Sequence, residues 1–263
     1  MREFSVKIKG KYRLIRIFFL VFSILFSSGI TAQIINIESL RRVTDTSGFS
    51  GSASLNFSVK RDANEYIGFA TDIHVQYKMN RHLVLLKNDL EFQRIQANRF
   101  ANKGASHLRY NYKLKPRLTW EFFLQGQYNK VSKINFRGLA GTGLRFKLTT
   151  SDDYKVYFGT LVMFEQNELD DHRGIERYFR SSSYLSLSLY PTKDITIIST
   201  TYYQPKIENF EDYRVLSQTS LVFTLFRNFD FKTTYSFIYD QFPAEGVPRS
   251  QYDLKTGIVY SFD

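Results

Sequence analysis

Residues 251–263 read QYDLKTGIVYSFD. In an extended chain successive side chains point to opposite faces. Tyr252, Leu254, Thr256, Ile258, Tyr260 and Phe262 therefore share one face, and Asp253, Lys255, Gly257, Val259, Ser261 and Asp263 the other. One face suits hydrocarbon and the other suits water. Working back to Gly48, the same device recurs about a dozen times. The pattern predicts strands near 48–60, 65–79, 82–96, 104–114, 116–130, 135–149, 154–168, 177–191, 194–208, 213–227, 229–242 and 251–263. A tilted strand crosses a bilayer in about 9–11 residues, so most runs have length to spare. The expected fold is all-β: a transmembrane antiparallel up-and-down β-barrel of about 12 strands.

The connections support an orientation. Tight turns such as KMNRH, LKPR, YPTKD and FRNFD alternate with longer stretches such as IQANRFANKGA, NELDDHRGIER and QFPAEGVPRSQ. Outer-membrane barrels pair short periplasmic turns with longer external loops. With both chain ends in the periplasm, the long connections all fall outside. Pro116 and Pro191 fall in tight turns, and Pro243 and Pro248 in the last long loop. A missing backbone donor does little harm there.

The N-terminal region reads as an export signal. Arg2, Lys7, Lys9, Lys11, Arg13 and Arg16 precede the short apolar core IFFLVFSILF, and SSGITAQ follows. That arrangement predicts a signal peptide over 1–32, with cleavage after Ala32. The apolar run is shorter than the roughly 20 residues of a membrane-crossing helix. Residues 33–47 then form an N-terminal periplasmic lead-in, an extra strand or a segment folded into the lumen, and 48–263 the barrel. Losing six basic residues and Glu3 with the signal lowers the net charge from +11 to +6. The basic balance is thus partly a targeting feature and does not point to nucleic acid. There is no cysteine, which excludes disulfides and thiolate metal sites and fits transit through an oxidising compartment. Aromatics reach 17% and mean hydropathy is −0.30, as expected when half of every strand faces water.

Two residue sets follow from the alternation. The lumen-lining candidates include Asp72, His74, Lys87, Glu91, Arg109, Glu121, Arg137, Arg145, Lys232, Asp253 and Lys255. Such an inward face is either a network of ion pairs and water or a charge-lined path for a polar solute. The aromatic girdle candidates are Tyr77, Tyr112, Trp120, Tyr260 and Phe262 at the periplasmic end, and Tyr128, Tyr239 and Tyr252 at the external end. Rings with an apolar body and a polar edge favour the headgroup level.

Motifs for chemistry are sparse. FRGLAGTGLRF at 136–146 lacks the third glycine and the following helix of a phosphate loop. Its inward Gly141 and Gly143 are expected to make room for bulky neighbours or to permit curvature. His74 and His107 are predicted to face the lumen, His82 to lie in a periplasmic turn and His172 in a long loop. No metal-ligand spacing occurs among them. Glu168, Asp170 and Asp171 are followed by Arg173, Glu176 and Arg177, which reads as a solvated mixed-charge loop before it reads as a cation site. No catalytic, cofactor-binding or metal residue is expected.

Several stretches together resemble a family of bacterial salt-induced outer-membrane proteins: GFSGSASLNFSVK at 48–60, RYNYKL followed by KPR, GLAGTGLRFKL, TYYQP, DYRVL and the closing GIVYSFD. The likeness is spread over most of residues 33–263 and implies a single outer-membrane barrel with no catalytic residues to carry over. Many such barrels end on an aromatic residue that aids recognition by the insertion machinery; here Asp263 follows Phe262. The expected function is an integral outer-membrane barrel, structural or a narrow channel for small polar solutes. The expected partners are outer-membrane lipid and lipopolysaccharide, the barrel-insertion machinery and periplasmic chaperones, with a small polar solute as the only cargo and no cofactor. Two alternatives are an outer-membrane lipid-modifying enzyme, using His74 or His107 with a lumen serine, and a secreted soluble β-sandwich.

Overall fold

A computed structural model describes residues 47–61, 65–95, 99–151, 153–171 and 173–262. The expected signal peptide and residues 33–46 lie outside the described residues, as does His172. Twelve strands run β1 (Gly48–Arg61), β2 (Glu65–Met79), β3 (His82–Ile95), β4 (Arg99–Lys115), β5 (Leu118–Asn129), β6 (Ile134–Lys147), β7 (Tyr154–Leu169), β8 (Ile175–Leu189), β9 (Ile195–Pro205), β10 (Tyr213–Phe226), β11 (Phe229–Asp240) and β12 (Ser250–Phe262). Each pairs antiparallel with its sequence neighbour, and β12 returns to β1, so the sheet is a closed barrel. Closure runs from Gly51 against Phe262 to Phe57 against Thr256. A closed barrel satisfies the backbone without leaving an edge.

The radial distribution of side chains is inverted relative to a soluble protein. The largest fully buried side chains include Arg180, Lys103, Glu91, Glu121 and Glu165, whereas Leu86, Leu124, Val162, Leu185 and Leu254 are exposed. Soluble proteins bury charges only rarely and leave no apolar patch of this extent. This arrangement, in one closed sheet, replaces the two-sheet sandwich alternative.

Turn chemistry fixes the ends. Asn80 and Asn228 have φ of 53° and 70° in the two-residue turns after β2 and β10. Asparagine adopts that left-handed region more readily than most residues. Pro116 and Arg117 form the turn after β4. All these tight turns share the end that carries the chain termini. At the other end, β4 begins at Arg99, earlier than the alternation suggested. Most of the expected IQANRFANKGA loop is therefore strand, because Arg99 and Phe100 continue the backbone pairing with Ile95 and Arg94.

His82 is also placed differently from expectation. It is the first residue of β3, where the predicted strand 82–96 begins, rather than part of the KMNRH turn, and its ring lies on the outer face beside Tyr110 and Tyr112. Nδ1 is 2.7 Å from the Tyr110 hydroxyl.

Candidate functional site

The candidate site is the lumen. Its inward side chains gather around carboxylates in separate groups, each assembled from several strands. On β3, Glu91 meets Lys103 of β4 at 3.1 Å and Lys255 of β12 at 2.5 Å, and Lys255 lies 3.6 Å from Asp253. Beside this group Asp72 accepts hydrogen bonds from Ser54 Oγ (2.9 Å) and Asn56 Nδ2 (2.8 Å). Asp72 is register-paired with Asp89, which Lys87 neutralises. Lys232 of β11 adds its charge to Asp72 and Asp89.

Toward the terminus-bearing end, Glu121 of β5 is 0% exposed. Its oxygens meet Arg145 Nε at 2.9 Å and Arg109 at 3.3 Å, and Tyr184 donates its hydroxyl at 2.9 Å. Arg145 also stacks over the Tyr157 ring.

Toward the opposite end, Glu165 of β7 is likewise 0% exposed. Arg214 of β10 donates to both its oxygens, at 2.7 and 3.0 Å. Arg137 and Arg180 approach at 3.2 and 3.3 Å, and the Tyr178 hydroxyl donates at 3.0 Å. Asp240 takes the Nε of Arg214 at 2.7 Å, and Asp212 the NH2 of Arg180 at 2.7 Å. Three guanidinium groups thus face three carboxylates, which is how buried charge is tolerated.

Along the strands, between the Glu121 and Glu165 groups, lies an apolar layer: Phe123, Leu161, Met163, Tyr184 and Tyr202, with Leu139 and Leu216 packed against it. The inward face is therefore not uniformly polar, contrary to the reading of the alternation. The inward glycines make this layer possible. A Cβ on Gly141 would strike the Phe123 ring, one on Gly159 the Tyr184 ring, and one on Gly143 the β7 backbone at Thr160 and Leu161.

All eleven sequence-derived lumen residues have their side chains in these groups or beside them. His74, Lys87, His107 and Gln125 form one register row across β2 to β5. His107 bonds Gln125 Oε1 through Nδ1 at 2.8 Å and stacks on Phe123. Neither His74 Nε2 nor His107 Nε2 has a hydrogen-bond partner among the described residues. Gly141 and Gly143 carry no phosphate-loop geometry. Asp171 of the acidic loop is bound by Arg173 at 2.8 Å, and among the described residues no group of three or more acidic, histidine or cysteine side chains is placed to hold a metal.

The girdle candidates lie on the outer face in two bands. Near the termini Tyr77 packs on Phe49, Trp120 on Tyr110 and Tyr260 on Phe229. Tyr112 lies beside His82, and Phe262 over Gly51. Trp120 donates its indole N–H to Thr142 Oγ1 at 2.8 Å. At the other end Tyr239 stacks on Tyr213, Tyr252 on Tyr235, and Tyr128 covers Gly104. Glu165, Arg180 and Arg214 escaped the sequence reading. Counting alternate positions along β7, β8 and β10 places them inward, but nothing local marks them as partners.

The fold and this lumen define a closed twelve-stranded antiparallel β-barrel with an apolar outer face and a largely charged interior. The chain belongs to a family described as proteins of unknown function, DUF481, whose model matches residues 44–262. No curated protein matches it. Among solved structures it is similar to the NanC porin, with a TM-score of 0.52 and 13% identity over 81% of this chain and 99% of the porin. It is also similar to the COG4313 outer membrane channel from Pseudomonas putida F1, with a TM-score of 0.52 and 8% identity over 88% of this chain and all of that one. At such identities the likeness concerns the fold.

Proposed function

We propose that this protein resides in the outer membrane after removal of an export signal, and that its barrel is a narrow passage for small polar solutes. Lipid and lipopolysaccharide contact the apolar band and the two aromatic girdles. The family resemblance to salt-induced outer-membrane proteins belongs to the same reading. The observation that carries it is the meeting, inside the lumen, of polar side chains from strands that are not neighbours in the sheet. Glu165 with Arg214, Glu121 with Tyr184, and Glu91 with Lys255 each join strands three positions apart. Barrels of eight strands are filled by side chains, and those of about sixteen leave an open channel. Twelve strands with side chains bridging non-neighbouring strands in this way leave little free section.

Planar-bilayer recording on purified protein tests the proposal. The expected result is a small conductance, well below that of a sixteen-stranded porin, which rises in Glu165→Ala. Silence of both proteins in the bilayer would overturn the channel reading and leave a structural role.

A further inference from the structure

The connection between β11 and β12, residues 241–249, does not stay near its own strands. It crosses the barrel mouth at the end opposite the chain termini. Ala244 is buried against Ile134 and Leu169, with Val247 packed on the same cluster. Ile134 opens β6, six strand positions from β12 in the ring of twelve, so the strap docks on the opposite wall.

Polar contacts hold it there. Arg173, in the β7–β8 loop, donates to the carbonyls of Pro243 at 2.8 Å and Phe242 at 3.4 Å. Lys133 Nζ donates to the Glu245 carbonyl at 2.8 Å, and the Glu245 amide to Asp171 Oδ2 at 3.4 Å. The same Asp171 holds Arg173, with Nε at 2.9 Å from Oδ2.

The strap has a compact conformation of its own. Val247 N–H donates to the Ala244 carbonyl at 2.9 Å, and Gly246 between them has a φ of 78°, where a side chain would be strained. Pro243 and Pro248 fix φ at both ends. The cavity beneath it is about 70 Å³, far below the ~300 Å³ of a small-ligand pocket. With the strap seated, the space between it and the charged groups below is too small for such a ligand.

We infer that residues 241–249 are a gate over this mouth, latched on the opposite wall by Arg173 and Lys133 and by the Ala244 seat. The inference rests on the channel reading for its physiological meaning. The closed position itself can be tested separately.

The chain has no cysteine, so a single Gln127→Cys beneath the strap is a clean reporter of access. Its modification by a charged, water-soluble thiol reagent is timed in detergent in three backgrounds: otherwise wild type, Arg173→Ala, and a variant with 241–249 replaced by a short Gly-Ser turn. Heat-modifiable migration checks that each is folded. Modification is expected about tenfold faster in Arg173→Ala, as for loss of a charge-assisted tether, and faster still without the strap. Bilayer conductance should rise in the same order. Equal modification rates in all three folded proteins would overturn the gate. Faster modification with no conductance in any of them would leave the strap as a cover and overturn the channel reading instead.

Discussion

Arg214 holds Glu165 through both carboxylate oxygens, at 2.7 and 3.0 Å, although the two residues stand on β10 and β7, three strands apart. Two further guanidinium groups converge on the same carboxylate. Removing one partner of such a group leaves the others buried and uncompensated. Glu165→Ala is therefore expected to destabilise the barrel by about 3–5 kcal/mol, read as a lower temperature for the shift in detergent-gel migration. Arg214→Lys should fall between wild type and Glu165→Ala, because one ammonium cannot replace both the NH1 contact to Glu165 and the Nε contact to Asp240. An unchanged transition in Glu165→Ala would mean that water solvates the three guanidinium groups well enough to make the carboxylate dispensable.

The assignment of faces can be tested within one strand. Phe122 is 38% exposed on the outer face of β5, and Gln125 points inward to His107. Lysine on the lipid face near the midplane costs about 2–4 kcal/mol. Phe122→Lys should lower the yield of inserted, heat-modifiable barrel, whereas Gln125→Lys adds a charge to a polar wall and should insert normally. Equal insertion of the two would reverse the face assignment of β5.

These contrasts explain what the sequence revealed and what it hid. On β5 and β12 the outer face is apolar and the inner face largely polar, so alternation alone gives strand, face and direction. On β7 the contrast vanishes: Val162 and Phe164 face out, while Leu161 and Met163 face in. Glu165 is then only one more position in an apolar run. Its role appears when the sheet closes and tilt brings β10 across from β7. The start of β4 was hidden for a different reason. Asn102 and Gly104 stand where a lipid-facing strand would have apolar residues, and backbone pairing extends it regardless. The strap's length was legible, but its docking place depends on a wall six strands away.

Two glycines should separate packing from propensity. A Cβ on Gly143 meets the backbone of Thr160 and Leu161, which cannot swing aside, while one on Gly126 finds only the Phe136 ring in ordinary contact at 3.7 Å. Gly143→Ala is expected to cost about 1–3 kcal/mol, the range for overpacking. Gly126→Ala should be neutral or slightly stabilising, because it removes glycine's conformational freedom from the unfolded chain. Thermal transitions of the two purified variants decide the matter, and a neutral Gly143→Ala would show that β6 and β7 can separate locally.

Acid should release the strap, and the direction follows from Asp171. The hydrogen bond from Arg173 holds the Asp171 carboxyl below its ordinary value. A depressed pKa means that the ionised latch contributes in full above the ordinary carboxylate value of about 3.9, and that its contribution fades as pH falls through the lower folded value. Glu176 and Asp240 also face Arg173 and help to keep the guanidinium in place. Gate opening, measured as open probability in the bilayer, is therefore expected to stay flat from about pH 5 to 8 and to rise only below about pH 4. Asp171→Asn should be more open than wild type at neutral pH and should lose most of the acid response. A transition in wild type near pH 6 would point to a histidine and remove Asp171 from the latch.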